Sequence, residues 1–471
     1  MSRYRVFSFL VCLISPLILN GQEIIEFNEK LRPQYHFTAP GGWLNDPNGL
    51  VYYQGEYHLF YQHNPEGTNW VPDLSWGHAV SRDLLHWTHL GRVLAPVKLP
   101  DGRVSGSWSG TAFIDWQNSA RLHPQGKEVL FVAWTAINRG QCLAYSLDKG
   151  RSFLEIPNNP VVPHDPNKKD PDRDPKVFWH APSKQWAMVF SVTGKGMVFY
   201  TSPDLHQWTY RSFFPALFEC PELFEIGVEG NPNLKKWILW DASSKYFIGE
   251  FTGTGFLAET GPVQLDRGKN YYAAQTFSEI PREDGRRISI GWMNGGKFPG
   301  MPFNQQMGIP SEIRLLNKPG GLALAKLPLR ELQKLRQPPR TWKFVSPEPG
   351  KNLWEGVNDE LLDVELEFEL RPQVELQFNL RGEEFRIAEG KLHSRDQVIP
   401  LETVEGRYRC RILLDRTSLE IYWQDGVISQ TFSLEPEKLA QGLSLKAKGN
   451  GAKIHSCVAY PLVRVWRNQS P

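Results

Sequence analysis

Three acidic residues stand in short, turn-like strings in the first half of this 471-residue chain. They are Asp46 in WLNDPNGL, Asp174 in DPDRDPKVF and Glu219 in LFECPELF, and a proline follows each within two positions. Two carboxyl groups, one protonated and one ionised, are what cleavage of a glycosidic bond requires. The acid protonates the leaving oxygen while the carboxylate meets the anomeric carbon. A third acid can hold sugar hydroxyls while positive charge builds on the ring. Glu219 suits the proton donor, because Phe214, Leu217, Phe218, Pro221 and Leu223 surround it and apolar surroundings raise a carboxyl pKa. Glu222, three residues on, competes for that role. Asp46 lies between Trp43 and the run Leu50 to Tyr53, where neighbouring donors keep a nucleophile ionised. Asp174 sits among Lys168, Lys169, Asp170, Asp172 and Arg173, and on composition alone that stretch reads as a solvated loop.

The strings are more specific than the acids they carry. WLNDPNGL, RDP and EC, in this order and spacing, resemble the signatures of glycoside hydrolase family 32, the β-fructosidases that include levanases, inulinases and invertases. The resemblance is strong over about residues 33–335 and weak beyond. It implies that Asp46 is the nucleophile attacking fructosyl C2, Asp174 the transition-state stabiliser and Glu219 the acid/base. It also implies that Asn45, Gln62, Trp70, Trp108, Ser109, Arg173, Gln275 and Trp292 line the sugar site. Asn and Gln suit hydroxyls because each donates and accepts. Gln275 reads equally as a blade-packing amide, and Trp292 as a stacking or a packing ring. The chain departs from the family pattern at Trp108, Thr111, Asn270 and Ser311.

The elements that must carry these residues are strands. Short alternating apolar runs bounded by Gly, Pro, Asn and Asp recur throughout, the pattern of an all-β protein. A Ser-x-Asp repeat followed by an aromatic appears at Ser81/Asp83/Trp87, Ser146/Asp148/Phe153 and Ser202/Asp204/Trp208. Its period of about 55 to 65 residues suits four-stranded propeller blades, and five such units fill about residues 33–335. Asp46, Trp108, Asp174, Glu219 and Gln275 keep step with that period. Each is therefore expected on the innermost strand of its own blade, where strands converge on the axis. A Pro-rich linker is expected over 336–350, and a β-sandwich over 350–471. There Val364, Leu366, Phe368 and Leu370 alternate with acids, and Asp425-Gly426 marks a hairpin. The sandwich holds no acid-in-turn string and is assigned no catalytic role.

Composition narrows the partners. Net charge is +2, from 53 basic and 51 acidic residues, with no basic stripe for nucleic acid. The 17 Trp, 15 Tyr and 26 Phe suit both sheet cores and sugar stacking. Arg3, Arg5 and the apolar run Val6 to Leu19 read as an export signal removed near residue 21, too short for a membrane span, so a secreted, periplasmic or cell-surface protein is expected. Four cysteines then remain. No His/Cys metal spacing occurs, Cys220 is expected as a buried thiol, and neither metal nor cofactor is called for.

The reading is an exported five-bladed propeller plus sandwich that removes terminal fructosyl units from levan or inulin, and possibly sucrose, with retention. A sucrose-preferring invertase or a fructosyltransferase is the neighbouring alternative, and a non-catalytic sugar-binding propeller the alternative of another class. Linkage preference and assembly state leave no trace in the strings.

Overall fold

The computed structural model describes residues 27–466, Lys169 excepted, so the expected export signal lies outside the described residues. Four-stranded antiparallel units repeat five times around an axis. Their innermost strands are Gly42–Tyr53, Ser107–Asp115, Arg173–His180, Glu222–Val228 and Tyr272–Thr276, in blades I to V. In blades I to IV each following strand pairs outward in sequence order, while blade V continues through Arg287–Trp292, Ser311–Lys318 and Gly321–Pro328. Phe303–Asn304 pairs in parallel with the start of the first inner strand, and Val51 bridges Ser278, so blade V clasps blade I.

The Ser-x-Asp repeat has a physical role in this arrangement. Ser81, Ser146 and Ser202 end the third strands of blades I to III. Each hydroxyl takes the backbone N–H of the Asp two residues on, and each Asp carboxylate then caps the next turn. Between blades the packing is apolar and largely aromatic. Phe60, Trp76, Leu130 and Trp134 fill the space between blades I and II, and Phe113, Phe131, Trp186 and Phe190 that between II and III.

The second unit is a sandwich of a six-stranded and a five-stranded antiparallel sheet. Val364, Leu366 and Phe368 turn inward onto Leu376, Phe378 and Leu380, as the period-2 pattern requires. The stretch 336–350, expected as linker, contributes the strand Arg340–Val345, which pairs with Ala452–Pro461, so the sandwich begins before residue 350. Prolines on both sides hid that strand's alternation. Glu420 and Tyr422 are buried along with their inward-facing neighbours, because the outer face of their strand lies against the propeller. Among the described residues no helix is long and apolar enough to cross a membrane.

Candidate active site

Four of the five inner strands break their regular pairing at one end of the axis. Register shifts fall between Leu44 and Pro47 in blade I, Ser107 and Gly110 in II, Arg173 and Lys176 in III, and Tyr272 and Gln275 in V. These bulges hold Asp46, Ser109, Asp174 and the stretch before Gln275, and a bulge re-aims the side chain it carries. A proline cannot donate to the ladder, and Pro47 and Pro175 sit where the ladder is already interrupted. Blade IV differs: Glu219 lies in the turn before its inner strand, not on it as expected. Leu217, Glu219 and Cys220 there adopt φ of 73°, 50° and 40°. That turn is pinned by Phe218 N–H to Asp241 (3.2 Å) and by Ala242 N–H to Glu219 C=O (3.0 Å).

Asp46 is buried, and four side chains aim at its carboxylate. Ser109 Oγ donates at 2.5 Å, Gln62 Nε2 at 3.3 Å and the Cys220 thiol at 3.6 Å, all to Oδ2. Asn45 Nδ2 donates to Oδ1 at 3.2 Å. Asn45 is itself oriented by the Trp43 indole (2.9 Å) and Gln62 (3.0 Å). Burial lifts the Asp46 pKa above the usual carboxylate range, against the pull of Ser109 and Asn45, so the donors only partly achieve what the sequence led us to expect.

Asp174 adopts φ 66°, its N–H donating to Thr135 Oγ1 at 2.8 Å. Its Oδ2 accepts the Cys220 backbone N–H at 3.1 Å. Burial pushes its pKa up to about 7; Arg173 opposes this, while Glu219 and Asp46 add to it. It is therefore an enclosed member of an acidic cluster, and the solvated-loop reading fails. Cys220 joins the cluster: its thiol faces Asp46, its N–H faces Asp174, and its neighbour is Glu219.

The Glu219 carboxyl is met by Arg173 and by the Tyr272 hydroxyl (2.8 Å), not by the apolar side chains that surround it in sequence. Phe218 instead points outward, 42% exposed. Arg173 is anchored by Thr193 Oγ1 at 2.6 Å. Glu222 is a different kind of group. It is fully buried, ion-paired to Lys176 at 3.0 Å and hydrogen-bonded to Thr276 at 2.7 Å. All four described cysteines are buried free thiols.

The remaining candidates form the wall and rim. Gln275 donates to Gly110 C=O at 2.9 Å, and its buried Oε1 has no protein partner among the described residues. Trp292 stands edge-to-face with Trp43 (6.1 Å) and Tyr272 (6.3 Å), its indole donating to Gln305. Trp108 lies 5.7 Å below the Arg173 guanidinium, and Trp70, 49% exposed, leans on it at 6.5 Å. Sequence reasoning missed Tyr272, Thr135 and Ser191, which hold the acids or their backbone, and Thr193, which holds Arg173. Only Tyr272 had a signal, as part of the YYAAQTF string. Of the departures, Asn270 serves the boundary with the sandwich, bonding Asn294 C=O and Ser433 N–H, and Ser311 bonds its own blade at Ile309 C=O. Neither touches the acids.

Residues 36–326 match the family model of the glycosyl hydrolases family 32 N-terminal domain. A levanase of Bacillus subtilis (strain 168) is 36% identical over 493 residues, covering 93% of this chain and 72% of that protein. An extracellular exo-inulinase of Aspergillus awamori is 27% identical over 530 residues, covering 93% and 96%. The crystal structure of exo-inulinase from that fungus superposes with a TM-score of 0.81 at 26% identity, covering 93% of this chain and all of that one.

Proposed function

Because the chain belongs to glycoside hydrolase family 32, we propose that it releases terminal β-D-fructofuranosyl units from a fructan, with retention, through a fructosyl-enzyme on Asp46. One observation carries the assignment: Asp46, Asp174 and Glu219, 128 and 45 residues apart in sequence, converge on the two sides of Cys220.

The geometry supports a division of labour. Asp46 Oδ2 is engaged by three donors and Oδ1 by one, so Oδ1 is the oxygen that attacks C2. Glu219 gives its proton to the departing oxygen as the C2–O bond breaks. The contacts from Arg173 and Tyr272 suit the carboxylate left behind, which is the form that takes a proton from water in the second step. That water then displaces Asp46 from C2, and the proton it loses restores Glu219. Asp174 binds the ring hydroxyls through the oxygen not held by Cys220. Gln275 Oε1 offers an acceptor, and Trp292 and Trp43, packed against each other, offer apolar edges. Retention of configuration calls for the two working carboxyls to lie about 5 to 5.5 Å apart in the substrate complex. Export of the mature chain rests on its apolar N-terminal segment and on likeness to a protein described as extracellular.

The test is product chromatography after incubation with levan, inulin and sucrose, beside Asp46→Asn. Free fructose from a polymer, with turnover reduced about a thousandfold or more in the variant, is the expected result. Transfer of fructose to a second sugar would identify a transferase. An unchanged variant, or no product from any of the three, would overturn the assignment.

A further inference from the structure

The acids occupy one mouth of the propeller, and the opposite mouth opens as a second cavity of about 860 Å³. Trp116 lies seven residues beyond Ser109 along blade II, and Trp179 five beyond Asp174 along blade III. At about 3.3 Å per residue the two mouths are on the order of 20 Å apart. Between them the buried Lys176–Glu222 pair, with Thr276 bonded to it, ties together the inner strands of blades III, IV and V.

Aromatic rings line this cavity and are held rigidly. Trp116 follows the inner strand of blade II and is 57% exposed, yet its indole N–H donates to Glu279 of blade V at 2.8 Å. A large ring is thus fixed in orientation while its surface faces solvent. Across the cavity Trp179 stands edge-on to Trp186 at 5.3 Å, and Trp237 packs on Phe178 at 5.5 Å. Charge among the lining groups is nearly balanced: Lys176, Lys235 and Arg287 stand against Asp115, Glu225, Glu250 and Glu279. Lys235 and Glu225 already neutralise each other at 2.7 Å. A strongly charged ligand finds no counter-field in such a site. A neutral chain with apolar C–H faces and many hydroxyls finds both ring surfaces and hydrogen-bonding edges.

We infer that this second mouth is a non-catalytic binding site for a fructan chain, tethering polymer to the enzyme at a distance from the cleavage site. The choice of fructan over other neutral sugars rests on the function proposed above; the sugar-binding character rests on the cavity itself. Affinity electrophoresis in gels containing levan, inulin or dextran reads binding without turnover, so it gives an answer even if hydrolysis fails. With Asp46→Asn to protect the gel matrix, retardation by levan or inulin is expected. Adding Trp116→Ala should weaken that retardation about threefold to tenfold, the effect of removing one aromatic platform, and Trp116→Phe should restore part of it. In the otherwise native chain Trp116→Ala should leave kcat and KM for sucrose unchanged while raising KM for the polymer. Equal retardation with and without Trp116 overturns the proposal. So does no retardation at all, retardation by dextran alone, or a fall in sucrose turnover.

Discussion

Asp46 is held between opposing effects. Burial drives it toward the neutral acid, and the Ser109 hydroxyl at 2.5 Å does most to oppose that. A hydrogen bond to a charged group is worth about 1.5–3 kcal/mol, so Ser109→Ala should lower kcat/KM by about ten- to a hundredfold. In the proposed role of nucleophile Asp46 must be ionised, and losing a donor raises its pKa. The acidic limb of kcat/KM against pH should therefore move to higher pH. An acidic limb that stays in place would sink this account of Ser109. The strings WLNDPNGL, RDP and EC announced the three acids, because a carboxylate at a conformationally demanding turn leaves a local record in Pro, Gly and Asn. The role of Cys220 left none. Its N–H reaches Asp174 and its thiol reaches Asp46 only because Glu219 and Cys220 both adopt positive φ, and nothing in their side chains requires that.

Strands, not loops, deliver most of the site, and they do so by bulging. At Gly110, the residue after Ser109, an added Cβ would lie 1.9 Å from Ala133 C=O and 2.7 Å from Trp134 Cα, both backbone atoms of the neighbouring strand. Gly110→Ala must spread those two strands and carry Ser109 away from Asp46. Overpacking of this kind costs about 1–3 kcal/mol, so a lowered Tm is expected, together with a loss of kcat greater than that of Ser109→Ala. Paired calorimetry and sucrose kinetics check it, and full activity at lowered Tm would show that the bulge is not what aims Ser109. The blades were readable because Ser-x-Asp turns recur at the ends of third strands. The repeat fades in blades IV and V, where Asp241 instead caps the end of a second strand through Ser243 and Lys245. Asp-Pro-Asn-Gly and Arg-Asp-Pro read as turns for the same reason that they mark bulges: proline interrupts a ladder in either setting.

The sandwich carries none of the acids, yet it is fastened to the same end of the propeller through ionic groups. His36 lies fully buried between Asp415 (2.9 Å) of the sandwich and Glu420 (3.2 Å), and Glu420 also takes the Ile309 N–H at 2.8 Å. Thr417 bonds Gln306 at 2.7 Å, next to Met307, which bridges Trp292 at the catalytic rim. Burial disfavours the imidazolium, but the two carboxylates outweigh it and lift the His36 pKa to about 9, while His36 in turn helps hold both acids below their usual range. The folded value lies above the unfolded one of about 6.5, so this charge stabilises the fold fully below about pH 6.5 and stops doing so as pH rises through 9. The shift corresponds to on the order of 3 kcal/mol. Tm should accordingly fall across pH 6.5 to 9.5 in the native chain. His36→Gln should begin lower at pH 6 and decline less steeply, since it has no proton to lose. Parallel Tm curves for the two proteins would mean that the junction is not held by His36 charge. A native curve that converges on the variant's by pH 9.5 would tie the alkaline instability of the whole molecule to this one buried imidazolium. In that case the Trp292 side of the catalytic mouth should loosen over the same pH range, with sucrose KM rising as Tm falls.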